Sequence, residues 1–266
     1  MGRLLLIGLF CFFFALPATA QFVIQGRASD NRVVSGGDSY QGRIVVVSTA
    51  EEAVEAVVTL RGIPVDDAAR NRQLRSNAAW VSFTPARLTL LPGEAGVVDY
   101  EVAVPDSSVY PGLEGVYWSD LVLSQVPPDA EKARKQPLPS SHPDEVELRS
   151  QSFRLATHLP NTSQARLAFL DVELQQHDQN YILQAHLENT GNAMVEPVFY
   201  VEMYDLAGNL LDRFDALPEP LYPGLSLRQP VELDGLPPGT YEALIVVDAG
   251  AEAQFGAQYT ITLGDR

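Results

Sequence analysis

Short runs of alternating apolar and polar residues, separated by proline and glycine, make up most of this chain. The runs lie at 42–48, 54–60, 80–84, 87–91, 97–104, 117–123, 152–159, 165–174, 181–188, 197–204, 210–214, 225–233, 238–247 and 254–263. An alternation with a period of two residues predicts β-strands that bury one face. Short strands at this spacing with turn residues between them are typical of an all-β sandwich.

One segment is ambiguous between helix and strand. Ser48-Thr-Ala-Glu51 has the form of a helix capping box, and the residues after it could continue as a short helix. Val54, Ala56, Val58 and Leu60, however, alternate with more polar neighbours, and this alternation continues into Arg61. We therefore predict a turn followed by a strand.

A turn-and-strand pattern occurs twice in the chain. Leu91-Pro-Gly93 leads through a strand to Tyr117 and a further strand, and Tyr222-Pro-Gly224 leads through a strand to Tyr241 and a further strand. The repeat predicts two tandem immunoglobulin-like β-sandwiches. In such sandwiches a tyrosine near the start of the penultimate strand closes a corner by bonding to upstream backbone. We assign that role to Tyr117 and Tyr241; the alternative is that both are simple edge aromatics.

The first 20 residues have the features of a cleaved signal peptide. Arg3 is followed by the apolar run 4–16 and by the small-residue site Ala18-Thr-Ala20. The apolar run is too short to span a bilayer, which takes about 20 residues. We expect an exported chain, periplasmic or extracellular, with no membrane anchor. We place the first sandwich at 21–160, with a proline-rich and charged loop at 127–149, and the second at 164–266.

Composition excludes some classes of partner. The chain has 18 basic and 34 acidic residues, and without Arg3 the exported part carries 17 basic residues and a net charge of −17. Such an acidic chain is not expected to bind nucleic acid, because phosphate binding needs basic patches. The single cysteine, Cys11, lies in the signal peptide, so the exported chain has no disulfide and depends on its core.

No catalytic, cofactor or metal site is predicted. His142, His158, His177 and His186 do not have metal-ligand spacing, although His177 and His186 could meet on neighbouring strands. Asp66, Asp67, Asp205 and Asp212 could touch calcium, but solvated loop carboxylates are the commoner explanation, and no EF-hand spacing occurs. Motifs for serine hydrolases, nucleotides and dinucleotides are missing from the sequence. We do not expect an enzyme.

Two segments resemble a known family. Trp80–Pro105, "WVSFTPARLTLLPGEAGVVDYEVAVP", followed by Gly115–Pro127, "GVYWSDLVLSQVP", is similar to the amino-terminal domain of periplasmic pilus-assembly chaperones of the PapD type. In that family an extended stretch with a Leu-x-Pro-Gly-Glu turn precedes a strand, and a Gly-x-Tyr-x-Ser-x-Leu strand follows. The long loop, a crossing final strand and a second immunoglobulin-like domain have counterparts here.

The resemblance implies that the chain binds protein partners, such as surface or pilin-like subunits, by adding a strand to an unfinished partner sandwich. The candidate strand is 146–159. Its candidate partner-binding residues are Val146, Leu148, Arg149, Phe153, Arg154 and Leu155. Val146 and Leu148 have the opposite phase to Phe153 and Leu155, which predicts a bulge or kink between the two pairs.

The resemblance also implies an arginine and lysine pair that anchors the carboxyl terminus of a subunit. No lysine follows Lys135, so that pair is missing as such. Arg27 or Arg32, together with Arg149 or Arg154, could supply the charge; solvated arginines on a core strand are the alternative. The preferred hypothesis is a chaperone-like or adaptor protein for surface assembly. The rival is a structural cell-envelope module that binds surface partners or peptidoglycan through loops.

Overall fold

The computed structural model describes residues 21–62, 75–126, 150–177, 180–250 and 254–264. The regular elements of these residues are sixteen strands and one 3₁₀ turn at Ala78–Trp80. The strands are β1 (Phe22–Gln25), β2 (Ser29–Val33), β3 (Ser39–Ser48), β4 (Val54–Arg61), β5 (Val81–Thr84), β6 (Arg87–Leu90), β7 (Ala95–Ala103), β8 (Val116–Gln125), β9 (Ser150–His158), β10 (Leu167–His177), β11 (Asn180–Asn189), β12 (Val198–Tyr204), β13 (Leu210–Asp215), β14 (Ser226–Glu232), β15 (Gly239–Asp248) and β16 (Gln254–Leu263).

Two sheets form the first sandwich. One has the order β1-β3-β7-β5 and the other β2-β9-β8-β4-β6. From β1 to β8 each successive strand lies in the sheet opposite to that of the strand before it, and the passage from β5 to β6 occurs at the cis bond Thr84–Pro85. The pairing of β2 with β9 is parallel, whereas the other strand pairs of this sandwich are antiparallel.

The core of the first sandwich comes from the alternating residues of its strands. On β4 the buried positions are Val54, Ala56 and Val58, so this segment is a strand and not a helix, as its alternation predicts. These side chains belong to one cluster with residues of the opposite sheet, such as Ile44 and Val98. Burial of about 25 cal/mol for each Å² of apolar surface is the main force that holds the two sheets together.

In the described residues the second sandwich has seven strands. The sheet β10-β11-β14 faces the sheet β13-β12-β15-β16, and a separate hydrophobic cluster fills the space between them. The most deeply buried members of that cluster include Leu183, Leu187, Val201, Met203 and Ile245. The prediction of two immunoglobulin-like β-sandwiches in tandem is therefore confirmed.

Two elements differ from what the sequence led us to expect. β1 and β2 are not among the predicted runs, because both are short and β2 consists mainly of polar residues. The predicted signal peptide and the predicted loop at 127–149 lie outside the described residues. Among the described residues, no helix has the length and hydrophobicity of a membrane span.

Candidate partner-binding edge

The last strand of the first sandwich, β9, has one edge that is only partly covered. β8 pairs with its whole length, from Ser150 to His158. On the other side β2 pairs with Arg154–His158 only. Within the described parts of the chain, no strand pairs with Gln151–Phe153 on that side. Among the described residues, the amino-terminal part of β9 is therefore paired on one side only.

Successive residues of β9 direct their backbone N–H and C=O groups alternately towards β2 and towards β8. The N–H of Arg154 donates to the Ala28 carbonyl on the β2 side, and the N–H of Leu159 donates to the Gly115 carbonyl on the β8 side. Because hydrogen-bonding groups alternate along a strand, Ser152 directs its N–H and C=O to the same side as Arg154. Ser152 is also exposed.

The odd-numbered side chains of β9 point into the core. Phe153 and Leu155 are 6% and 0% exposed and pack within the first sandwich. The Phe153 ring lies 5.9 Å from that of Tyr100. Both of these predicted partner-binding side chains are therefore buried in the chain's own core. A partner at this edge would meet the backbone of β9 instead.

The Arg154 side chain lies on the outer face of β9 and is held by an ion pair. Its Nε and Nη2 donate to the two carboxylate oxygens of Asp120, at 2.8 and 3.1 Å. The Asp120 side chain is only 8% exposed, and Arg61 also approaches it, at 3.8 Å. A bidentate arginine–carboxylate pair fixes both side chains geometrically. The positive charge of Arg154 is thus largely compensated within the chain.

Arg154 also connects the two sandwiches. Its guanidinium lies 4.3 Å from the centre of the Trp118 ring and 4.6 Å from that of Tyr222, so it sits between an aromatic ring of each sandwich. The Trp118 indole N–H donates to the Pro223 carbonyl, and the Tyr222 hydroxyl donates to Asn31 Oδ1 at 3.0 Å. We call Trp118, Arg154 and Tyr222, with Asp120 and Asn31, the interdomain junction.

Backbone contacts strengthen the same region. The N–H of Val116 donates to the Asn192 carbonyl, and the N–H of Gly115 donates to Thr162 Oγ1. Asn192 in turn bonds through its side chain to the backbone of Thr162 and Gln164 in the connecting segment. The start of β8, the connector and a turn of the second sandwich are thereby tied together.

β2 is held beside β9 by two tyrosines. The Tyr100 hydroxyl donates to Asp30 Oδ2 at 2.6 Å, and Tyr222 donates to Asn31 as described above. Burial and the Asp30 carboxylate raise the pKa of Tyr100, and burial raises the pKa of Tyr222. Both hydroxyls are therefore protonated donors at neutral pH.

The two predicted corner tyrosines have different surroundings. The Tyr241 hydroxyl donates to the Pro237 carbonyl, four residues upstream, at 2.6 Å, which is the type of bond that a tyrosine corner makes. The Tyr117 ring instead lies 4.8 Å from that of Trp80, and the Arg75 guanidinium lies 5.6 Å from its centre. In the described residues no upstream hydrogen bond of the Tyr117 hydroxyl is found.

Three predicted partner-binding residues, Val146, Leu148 and Arg149, lie outside the described residues, as do His142, Asp66 and Asp67. Sequence reasoning missed Trp118, Asp120 and Tyr222 as junction residues. Trp118 and Tyr222 are large aromatics beside turns, which is a weak signal. The pairing of Asp120 with Arg154 depends on strand register, which the sequence alone does not give.

The predicted histidines and acids that the structure describes do not gather into a site. In the β10–β11 hairpin, His177 is aligned with Asn180 and His186 with Asp171, so the register separates the two histidines. Burial lowers the pKa of His158, which therefore stays neutral at neutral pH. Asp205 accepts hydrogen bonds from its own turn, from the backbone of Ala207 and Asn209. Among the described residues, no group of three or more candidate ligands is placed to hold a metal ion.

No protein-family model and no curated protein matches the chain. Solved structures of pilus chaperones align with nine-tenths of it. The CupB2 chaperone of Pseudomonas aeruginosa has 16% identity and a TM-score of 0.38, with 91% of this chain and 100% of that chain covered. The YadV chaperone has 10% identity and a TM-score of 0.40, with 91% and 100% covered.

A third similar structure is the CsuC–CsuE chaperone-tip subunit pre-assembly complex from the archaic chaperone-usher Csu pili of Acinetobacter baumannii. It has 12% identity and a TM-score of 0.40, with 93% of this chain and 100% of that chain covered.

Proposed function

We propose that this chain is an exported, non-catalytic protein that binds a partner by β-strand pairing at the edge of β9. In this proposal it acts as a chaperone or adaptor in the assembly of surface or pilus-type structures. The resemblance of Trp80–Pro105 and Gly115–Pro127 to pilus-assembly chaperones supports the biological setting. The open part of the β9 edge supports the mode of binding.

The single observation that carries the proposal is that Gln151–Phe153 has β8 on one side and, among the described residues, no strand on the other. An open edge offers backbone donors and acceptors to any extended segment, and proteins that do not use such an edge normally protect it. A partner strand placed there would gain main-chain hydrogen bonds, the usual source of affinity in β-augmentation.

Side-chain specificity has to come from residues other than Phe153 and Leu155, which are buried in the sandwich itself. Val146 and Leu148 stay predicted contributors, because they precede the open edge in the sequence and share one face of an extended strand. Arg149 stays a predicted polar contact beside them.

A carboxylate anchor at Arg154 is not part of the proposal. Arg154 already makes two hydrogen bonds to Asp120, and its guanidinium is enclosed by Trp118 and Tyr222. An incoming carboxylate would have to compete with a nearly buried partner. We assign Arg154 to the interdomain junction instead.

The rival hypothesis, a cell-envelope module that binds through loops, also has an observation in its favour. The hairpin between β12 and β13 exposes Leu206 by 70% and Leu210 by 56%. A contiguous patch of exposed apolar side chains is typical of a contact surface. In that case substitutions in the hairpin would weaken binding, whereas substitutions in β9 would not change it.

Two substitutions at Ser152 test strand pairing. Ser152→Pro removes the N–H that the open edge offers, and Ser152→Ala keeps it as a matched control. The probe is a pilin-like subunit that is co-expressed with this chain in the periplasm and purified. Because a lost backbone bond and a bulky ring act together, we expect the proline variant to bind the subunit at least about tenfold more weakly. The alanine variant should bind like the parent chain.

Thermal unfolding of both variants checks that the fold is intact, since proline is tolerated on edge strands. Equal binding by the proline variant, with binding lost instead on Leu206→Asp, would contradict strand pairing and support the rival.

A further inference from the structure

We propose that β2 is a displaceable cover of the β9 edge. Its release would extend the open edge from Gln151–Phe153 to Gln151–His158 and admit a partner strand that carries hydrogen-bond acceptors where Asp30 and Asn31 now stand. This inference rests on the proposed function and names the full pairing site and the chemistry of the strand that fills it.

β2 contributes almost nothing to the core. Its burial pattern is two half-buried residues followed by three exposed ones, and Val33 is 74% exposed. From Val23 to Arg43 no residue is buried, whereas Phe22 on one side and Ile44 on the other are core residues. Release of β2 would therefore leave the hydrophobic core in place. Segments with few buried apolar contacts are the ones that open locally, well below the free energy of global unfolding.

The attachment of β2 is mainly polar. At its ends the Arg154 N–H donates to the Ala28 carbonyl and the Val34 N–H donates to the His158 carbonyl, both at 2.9 Å. Between these two bonds the side chains of Asp30 and Asn31 accept from Tyr100 and Tyr222. Water or another strand could replace each of these bonds, which makes exchange of β2 for a partner segment energetically feasible.

β2 and an added strand would compete for the same backbone groups. Alternation directs the N–H and C=O groups of Arg154, Ala156 and His158 to the β2 side, in line with Ser152. While β2 is bound, a partner strand can pair only with the backbone of Gln151–Phe153. Once β2 is released, the row is continuous over the eight residues 151–158, which is longer than a typical strand of five to six residues.

The two tyrosines set the chemistry of the incoming strand. Tyr100 and Tyr222 are 5% and 2% exposed, and each donates its hydroxyl hydrogen to a β2 side chain. A buried donor that loses its acceptor costs about 1–3 kcal/mol, so a strand without acceptors at these positions is disfavoured. Asp, Glu, Asn or Gln at two consecutive positions of the partner would satisfy both hydroxyls.

Hydrogen exchange of the exported chain, residues 21–266, tests the cover without any partner. We expect segment 27–35 and the Arg154 amide to exchange at least about 100-fold faster than the amides of β3 and β8, because local opening of β2 leaves those strands intact. Asp30→Ala should accelerate the exchange of segment 27–35 by about a further tenfold, since it removes the bond from Tyr100. The matched control is Asp99→Ala, which removes only an exposed ion pair with Arg43.

A second experiment tests the chemistry of the incoming strand. The probe is a labelled peptide with the sequence of residues 27–35, RASDNRVVS, at about 1 mM, comparable to the effective concentration of a tethered strand. We expect it to bind the Asp30→Ala variant and to protect the Arg154 amide, and a peptide with alanine at both acceptor positions to bind at least about tenfold more weakly.

If segment 27–35 exchanges as slowly as β8, the proposal that β2 is displaceable is wrong. If the two peptides bind equally, or if neither binds, the proposed requirement for acceptors in the incoming strand is wrong. Neither result depends on the subunit used with the Ser152 variants. If the Ser152→Pro variant binds the subunit as well as the parent chain does, strand pairing at β9 is wrong, whereas the exchange result for β2 is unaffected.

Discussion

At the scale of single residues, Gly115 shows how closely the two sandwiches approach each other. Gly115 immediately precedes β8 and has a φ of 69°, in the left-handed region that favours glycine. A Cβ at this position would overlap the Asn192 carbonyl oxygen and lie 2.6 Å from Asn192 Cγ. The N–H of the next residue, Val116, donates to that same carbonyl. Gly115 is therefore required both for its conformation and for the contact between domains.

Alanine substitutions at two glycines separate these effects. Gly112 also has a positive φ, of 90°, but a Cβ there would meet nothing within 4 Å. We expect Gly112→Ala to lower the free energy of unfolding by about 1 kcal/mol and Gly115→Ala by about 3 kcal/mol, because only Gly115 adds a steric overlap to the conformational cost. Urea unfolding of the two variants and the parent measures the difference. Equal losses would mean that the approach of Asn192 to Gly115 is not a stabilising contact.

For single residues, the sequence predicts some contacts and misses others. Tyr241 is found in the surroundings of a corner tyrosine, because its position after a Pro-Pro-Gly turn gives it a local carbonyl to bond. Tyr222 belongs to a repeated Pro-Gly turn in the sequence, yet its main contacts are Trp118, Arg154 and Asn31 of the other sandwich. A local motif carries no information about a neighbour almost 200 positions away.

At the scale of elements, the alternation of apolar residues predicts the strands that bury one face. β4, β7, β12 and β15 follow it closely, since buried and less buried positions alternate along each of them. β2 escapes prediction because it pairs in parallel at a sheet edge and buries none of its side chains. Its place in the sheet depends on backbone pairing and on two acceptors, and neither leaves a periodic signal in the sequence.

β9 is an intermediate case. The sequence predicts the strand and predicts that Phe153 and Leu155 lie on the same face of it. It does not decide whether that face points to the chain's own core or to a partner. The register with β8 decides it: Phe153 is opposite Leu121, which is completely buried. The same register places Arg154 opposite Asp120 and so assigns the arginine to an ion pair within the chain.

At the scale of the whole molecule, the interdomain junction couples two separate cores. A small cluster of Val116, Trp118, Ala156 and Tyr222 lies between the larger clusters of the two sandwiches. Three of its residues come from the first sandwich and one from the second. Tyr222 is therefore the principal buried contact that the second sandwich contributes.

Substitution of Tyr222 tests this coupling. We expect Tyr222→Ala to lower the unfolding free energy by about 3 kcal/mol, because it removes a buried aromatic ring and the bond to Asn31. Both tryptophans of the chain, Trp80 and Trp118, are in the first sandwich, so fluorescence reports that sandwich and circular dichroism reports both. The two signals should coincide during urea unfolding of the parent and separate in the variant.

Tyr259→Ala serves as the control, because Tyr259 is an aromatic of the second sandwich that is 37% exposed. It should change the unfolding free energy by no more than about 0.5 kcal/mol. Coincident transitions in the Tyr222 variant would mean that the two sandwiches are coupled through other contacts.

The most direct test of strand pairing is hydrogen exchange of the chain with and without the pilin-like subunit used as the probe of the Ser152 variants. If a partner strand adds to the open part of β9, the amide of Ser152 becomes strongly protected, while those of the 205–209 hairpin turn are unchanged; if the partner strand also displaces β2, the amides of Arg154, Ala156 and His158 become more protected than in the free chain. Protection confined to that turn, with β9 exchanging as in the free chain, would contradict the account.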